Sequence, residues 1–196
     1  VGPTVVQYTL KPHEGVKLSK ITGLKSDLAL ALAAHAIRIE APIPGKSLVG
    51  IEIPNDTRAI VHLREIMETK EYKEVDSSLK IALGRDVAGN PMVADLGAMP
   101  HLLIAGATGS GKSVGLNSFL ISLIYNNAPH ALKFIMIDPK RVELCTYNHI
   151  PHLLAPVIME PDKAVTALRW AVAEMNARYQ ICADAGYRNV TEYNAD

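Results

Sequence analysis

The sequence predicts an α/β protein in which a parallel-sheet domain follows a smaller α+β domain. The chain of 196 residues is 48% hydrophobic, which is enough to build a sizeable core. Residues 106–113 form a glycine-rich segment between an apolar, strand-like run and a helical pattern. After residue 79 such runs and helical patterns alternate, which is typical of a parallel sheet covered by helices. These three observations predict the fold class.

The small α+β domain is predicted to cover residues 1–78. Its strands are predicted at residues 4–10, 16–21, 37–40 and 48–53. Its helices are predicted at residues 27–36 and 57–69. Pro12 and Gly15 separate the first two strands, and Ser26 is suited to cap the first helix. A polar segment with weak patterning follows the second helix, and the domain is expected to end there.

The α/β domain is predicted to cover residues 79–196. Its strands are predicted at residues 79–83, 91–96, 101–105 and 134–137. Its helices are predicted at residues 114–125 and from about residue 162 onward. The pair Gly89-Asn90 favours a hairpin between the first two strands. The later alternation of helix and strand implies a parallel sheet whose ligands bind beyond the carboxyl ends of the strands.

The last helix carries an apolar stripe, which favours packing in the core. The members of the stripe recur every three or four residues and are Val165, Leu168, Val172, Met175, Tyr179 and Cys182. Trp170 lies off the stripe. A tryptophan in that position is expected at a domain or subunit contact more often than against a ligand.

The glycine-rich segment matches the phosphate-binding pattern G-x-x-x-x-G-K-[ST] at each fixed position. Glycines let the backbone approach a polyphosphate, whose charge is bound by consecutive N–H groups and by the start of the next helix. Lys112 and Ser113 are the predicted catalytic residues: Lys112 contacts the β- and γ-phosphates, and the Ser113 hydroxyl completes the coordination of Mg²⁺. The predicted nucleotide contacts are Gly106, Thr108, Gly109, Ser110, Gly111, Lys112 and Ser113, with Val114 as a helix neighbour. The alternative is a glycine-rich turn with an exposed lysine.

Asp138 ends an apolar strand, as does the Mg²⁺-binding acid of phosphate-loop ATPases, the Walker B residue. However, Pro139 follows it in place of a second acid, and its strand is the next one along the chain after the loop. We therefore expect Asp138 to act indirectly or at the rim of the site, with Lys140 and Glu143; a local salt-bridged turn is the alternative. No later apolar strand ends in Asp-Glu, so the Walker B strand is expected to lie outside this chain.

Composition and spacing exclude several other classes of protein. Twenty basic residues balance twenty acidic ones, so charge does not indicate a nucleic-acid partner. Cys145 and Cys182 are too few for a disulfide scaffold and fit a reducing compartment. The sequence has no zinc-site spacing, no G-x-S-x-G hydrolase motif, no signal peptide and no run of about 18 apolar residues. Because it begins at Val1, we expect the chain to be part of a longer protein.

Several longer strings resemble the motor of the FtsK/SpoIIIE family of DNA translocases, over nearly the whole chain. These strings are IEAPIPGK at residues 39–46, GIEIPN at 50–55, MPHLLIA at 99–105, MIDPK at 136–140 and IPHLLAPV at 150–157. Two departures from the family pattern are Arg141, where an apolar residue is usual, and the pair Cys145-Thr146.

The resemblance implies a RecA-like P-loop ATPase core, here partial, preceded by the family's small α domain. It implies a motor that uses ATP and Mg²⁺ to move double-stranded DNA in chromosome segregation and cell division. It further implies a homo-hexamer, held at the cytoplasmic face of the inner (cell) membrane by an N-terminal anchor that this chain lacks. The isolated chain, without a Walker B strand, is expected to bind nucleotide and to turn over little ATP.

Other functions stay open at this point. One is a related pump of the HerA/FtsK type for conjugation or type VII secretion, although the strings at residues 39–46 and 50–55 favour the chromosome motor. Another is a nucleotide-binding module that mediates assembly without hydrolysis. A small-molecule kinase is disfavoured, because no segment resembles an acceptor site or an arginine-rich lid.

Overall fold

The computed structural model describes residues 1–34 and 36–195, which form two compact units. The first unit covers Val1–Asn126 and the second covers Asn127–Asp196. These units do not test the predicted domain boundary between residues 78 and 79. That boundary stays a prediction. No helix in the described part of the chain is both long and apolar enough to cross a membrane.

Helices and strands are mixed along the chain, which confirms the predicted α/β class. The strands are β1 (Val5–Leu10), β2 (Arg38–Glu40), β3 (Val49–Pro54), β4 (Lys80–Arg85) and β5 (Pro91–Asp95). The helices are α1 (Leu18–Gly23), α2 (Lys25–Ala31), α3 (Leu63–Met67), α4 (Lys70–Glu74), α5 (Lys112–Asn126), α6 (Pro161–Asp184) and α7 (Val190–Ala195).

An antiparallel sheet of three strands, in the order β1-β3-β2, opens the chain. β1 pairs with β3 from Val5 opposite Pro54 to Leu10 opposite Val49, and β2 pairs with the other edge of β3. β3 is the central strand, and its first four residues are buried. The sheet confirms the strands predicted near residues 4–10, 37–40 and 48–53.

The strand predicted at residues 16–21 is wrong, because the segment forms the start of a helical pair. Both edges of β3 are occupied by β1 and β2, and the chain bonds locally instead: the Lys20 N–H donates to the Lys17 carbonyl at 3.0 Å. The helix predicted at residues 27–36 is present as α2 but ends at Ala31, shortly before Ala33 takes a φ of 49°. His35 lies outside the described residues.

The helix predicted at residues 57–69 begins only at Leu63. The segment before it is tied to the start of the chain: the Asn55 N–H donates to the Thr4 carbonyl at 2.9 Å and the Ala59 N–H to the Pro3 carbonyl at 2.8 Å. These bonds to the carbonyls of Pro3 and Thr4 take the place of bonds within a helix.

The predicted hairpin is confirmed by β4 and β5, which pair antiparallel around the turn. Asp86 fixes the turn by accepting the N–H groups of Ala88 and Asn90, both at 2.8 Å, and Gly89 takes the φ of 94° that the turn requires. Helices α3 and α4 pack on this hairpin around a buried cluster. The cluster is Ile66, Tyr72 and Ala82, with Val61, Leu63, Met67 and Val93 packed against it.

The predicted strand at residues 134–137 is present only as isolated parallel bridges. Phe134 pairs with Leu153 and Ile137 with Ile158. The parallel direction agrees with the predicted sheet. The strand predicted at residues 101–105 is wrong, because no strand in the described ranges lies beside these residues to pair with them.

Helix α6 confirms the predicted last helix but does not bury its apolar stripe. Leu168 is 59% exposed and Tyr179 63% exposed, whereas Cys182 is only 7% exposed. Trp170 is 48% exposed. The prediction that this stripe packs in a core is therefore wrong for every member except Cys182, since the other members are 47–63% exposed.

Candidate functional site

The glycine-rich loop at residues 106–111 has the backbone that a phosphate-binding loop needs. Gly109 has a φ of 80° and Gly111 a φ of 89°, both in the left-handed region that residues with a Cβ rarely adopt. The Ser110 N–H donates to the Ala107 carbonyl at 3.0 Å and closes the turn. The loop leads directly into α5, whose first residue is Lys112.

Gly106 is required for a different reason, namely space. A Cβ built at this residue would lie 2.3 Å from the Ser110 Oγ and 3.1 Å from the Ser110 Cβ. A side chain at Gly106 would therefore push the far side of the loop outward. By contrast, a Cβ at Gly109 or Gly111 would meet nothing within 4 Å, so the loop is open there.

The N-terminus of α5 supplies positive charge to the loop. The first turn of a helix has N–H groups without helical partners and carries the positive end of the helix dipole. No acidic residue lies in the first turn of α5. Lys112 is exposed and makes no ion pair with any residue that the structure describes. Its ammonium group is available to a bound anion.

The remaining predicted loop residues differ in exposure, and their contacts to a nucleotide stay a prediction. Thr108 and Ser110 are exposed on the loop, Ser113 is half-buried in the first turn of α5, and Val114 is 71% exposed beside it. No group of three His, Cys, Asp or Glu side chains among the described residues could hold a metal ion by itself. A Mg²⁺ ion would thus be held by the Ser113 hydroxyl together with phosphate oxygens and water.

Asp138 lies in the second unit and uses its carboxylate to fix a turn. Its Oδ2 accepts the backbone N–H groups of Val142 at 3.0 Å, Glu143 at 2.9 Å and Leu144 at 3.0 Å. The side chain is buried, at 6% exposure. These bonds, that of Leu144 above all, hold the pKa of Asp138 below its ordinary value of 3.8, although desolvation acts in the opposite direction.

The three residues predicted at the rim of the site, Asp138, Lys140 and Glu143, differ in their burial and contacts. Asp138 holds its neighbours by backbone hydrogen bonds rather than by a salt bridge. Lys140 is exposed on the turn, and Glu143 is half-buried in it. A part played by these three residues at a nucleotide site stays a prediction.

Two residues of the second unit received no role from the sequence. Arg141 has a φ of 58°, a left-handed conformation that is unusual for a residue other than glycine. His152 is buried; its Nε2 lies 2.8 Å from the Asn127 carbonyl oxygen, and its Nδ1 has no hydrogen-bond partner. In the sequence, Arg141 is notable because it replaces an apolar residue that is usual at this position. No sequence pattern indicated the buried hydrogen bond of His152.

Two adjacent family models match the chain, and the loop and the turn both lie within the longer one. The model described as the FtsK/SpoIIIE family matches residues 62–196, and the model described as the FtsK alpha domain matches residues 1–55. The curated proteins that match include two named DNA translocase FtsK. The protein from Caldanaerobacter subterraneus is 55% identical over 98% of this chain and 27% of its own length. The protein from Campylobacter jejuni is 55% identical over 99% of this chain and 20% of its own length.

The chain thus spans about a quarter or less of the length of these curated relatives. Among solved structures, the pCW3 conjugation coupling protein TcpA, in its monomer form with ATPγS, aligns with a TM-score of 0.52. It is 24% identical to this chain, and the alignment covers 99% of this chain and 51% of that protein. At this level of identity the likeness shows a shared fold.

Proposed function

Because the chain belongs to the FtsK/SpoIIIE family, we propose that it is the ATP-binding part of a motor that moves double-stranded DNA. The observation that carries the proposal is the loop at residues 106–113, which joins an open glycine backbone to the start of α5. The relatives are named DNA translocases, which supports DNA as the substrate. The fold shared with a structure that contains ATPγS supports ATP as the nucleotide.

The residues divide the chemistry between them. The backbone N–H groups of Gly109, Ser110 and Gly111 bind phosphate oxygens, and Lys112 neutralises charge on the β- and γ-phosphates. Ser113 would hold a Mg²⁺ ion through its hydroxyl. Such an ion would supply further positive charge to the phosphates during phosphoryl transfer. The isolated chain binds nucleotide in this way and turns over little ATP without a Walker B acid.

The wider assembly is part of the same proposal. A homo-hexamer would surround the duplex, so that weak contacts to backbone phosphates are repeated by each subunit. The motor would act in chromosome segregation and cell division, held at the cytoplasmic face of the inner membrane by an N-terminal anchor. In this proposal, residues 1–78 form the small α domain, and residues 79–196 form the first half of the ATPase domain.

Two alternatives have less support. A pump for conjugation shares the fold of this chain, but the 24% identity to the coupling protein is far below the 55% identity to the relatives named DNA translocase. A nucleotide-binding assembly module would bind ATP but not move along DNA.

Movement along DNA is the test that separates these functions. The natural full-length protein is expected to use ATP to displace a third strand that is annealed to a long duplex. The reason is that a ring moving along the duplex removes a strand bound ahead of it. The non-hydrolysable analogue ATPγS serves as the control and should leave the third strand in place. Retention of the third strand with ATP, at protein concentrations that saturate the duplex, would favour the assembly module.

A further inference from the structure

Arg141 adopts a backbone conformation that its residue type disfavours. Its φ is 58°, and glycine or asparagine would take this conformation at lower cost. Strained residues persist where the surrounding structure fixes them, and they are frequent at sites that bind ligands. The side chain of Arg141 is exposed, so core packing does not explain its presence.

Asp138 holds the turn around Arg141 through hydrogen bonds to its backbone. The Asp138 carbonyl oxygen accepts the Arg141 N–H at 3.1 Å, and its carboxylate accepts the N–H groups of Val142, Glu143 and Leu144. Pro139 further restricts the backbone between them. The turn is therefore held in one conformation before any ligand binds, which reduces the entropy lost on binding.

Two neighbouring positive charges are presented on this turn without an acidic partner. Lys140 and Arg141 are both exposed, and neither forms an ion pair with a residue that the structure describes. Four other exposed basic residues pair with acids three or four residues away, in the pairs Arg64–Glu68, Lys70–Glu74, Lys163–Glu160 and Arg178–Glu174. Further exposed basic residues, such as Lys46 and Arg169, form no ion pair with a described residue either. What sets Arg141 apart from them is its left-handed backbone.

We propose that Lys140 and Arg141 bind backbone phosphates of duplex DNA, an inference that rests on the proposed function. A guanidinium binds phosphate through two parallel N–H groups, and an ammonium binds it as a point charge. A turn that faces solvent suits a long polyanion, whereas the loop at residues 106–113 already supplies the donors for the nucleotide. Contacts of this kind do not read sequence, which suits a protein that moves along DNA.

The dependence of DNA affinity on salt measures these contacts directly. The natural full-length protein, held with ATPγS, is titrated with a 40-base-pair duplex between 50 and 200 mM salt, and log K is plotted against log salt. Each phosphate contact contributes about 0.9 to the slope. Because each subunit of a ring carries the substitution, Arg141→Gln is expected to reduce the magnitude of the slope by about 0.9 for each subunit that contacts the duplex. Lys140→Gln combined with Arg141→Gln is expected to reduce it by about 1.8 for each such subunit.

Arg169→Gln is the matched control, since it removes one positive charge from an exposed position on α6 in the same unit. Its slope is expected to equal that of the wild type. An equal fall for Arg169→Gln and Arg141→Gln would overturn the inference, because the effect would then reflect overall charge. A wild-type slope for the double variant would overturn it as well, while a wild-type protein that binds no duplex would contradict the proposed function itself.

Arg141→Gly adds a readout that separates binding from folding. Glycine relieves the left-handed conformation, so the melting temperature is expected to rise by about 2–4 °C, while the magnitude of the slope falls as much as it does for Arg141→Gln. Opposite changes in stability and affinity would support a residue kept for its ligand. A lower melting temperature, or weaker binding of ATPγS with an unchanged DNA slope, would overturn the assignment to DNA.

Discussion

Replacing Lys112 with alanine is expected to reduce ATP hydrolysis by the natural full-length protein by about 10²–10³-fold. Lys112 is the first residue of α5, is exposed, and has no acidic partner among the described residues. Without it, the charge that develops on the phosphates loses its nearest fixed cation, while the glycine loop stays in place. Steady-state hydrolysis at saturating ATP and Mg²⁺ measures the loss.

Lys70→Ala is the matched control for this experiment. Lys70 is also exposed and belongs to the same unit, but it pairs with Glu74 at 3.4 Å on α4. Its removal is expected to leave hydrolysis within about twofold of the wild type, because an exposed helix pair contributes little. Equal activity of the Lys112→Ala and wild-type proteins would show that the loop is only a glycine-rich turn. The melting temperatures of both variants should match the wild type, which excludes misfolding as the cause.

Asp138→Asn is expected to lower the melting temperature of the chain by about 5 °C or more at pH 7. Asparagine has nearly the same shape as aspartate, but it replaces a charged acceptor of three N–H groups by a neutral amide. Hydrogen bonds to a charged acceptor are the stronger kind. The turn that carries Lys140 and Arg141 should therefore lose order first, which thermal melting and amide exchange of Val142 to Leu144 would detect.

The effect of Asp138→Asn is expected to depend on pH in one direction. The pKa of Asp138 is lowered in the folded chain, so its ionised carboxylate stabilises the fold above the ordinary value of 3.8. This contribution is lost as the pH falls below 3.8 and through the folded pKa. The difference in melting temperature between the two proteins should accordingly shrink in acid. A constant difference from pH 7 to pH 3 would contradict the assigned role, and Asp56→Asn, at an exposed position, controls for general charge effects.

Local sequence signals predicted the elements whose partners are near in the chain. Gly89-Asn90 marked the hairpin of β4 and β5, and the glycines at 109 and 111 marked the turn into α5. In both cases the conformation depends on the residue's own φ, which is a property that the sequence carries. The left-handed backbone at Gly109 and Gly111 could therefore be predicted from the sequence, whereas the nucleotide contacts of the loop stay a prediction.

Elements that depend on distant partners could not be predicted in the same way. The segment at residues 16–21 has strand-like residues, but β1 and β2 occupy both edges of β3, so it became helical. Near the start of the helix expected at residues 57–69, the Ala59 N–H donates instead to the Pro3 carbonyl. The role of Asp138 also escaped prediction, because its partners are backbone N–H groups, which every sequence has and no pattern marks.

Hydrolysis of ATP by the natural full-length protein, with and without long duplex DNA, tests the central claim most directly. The account predicts that duplex DNA raises the rate strongly, and that the Lys112→Ala protein shows no such rise. Hydrolysis that is indifferent to DNA would contradict a DNA motor and would favour a pump for another substrate or an assembly module.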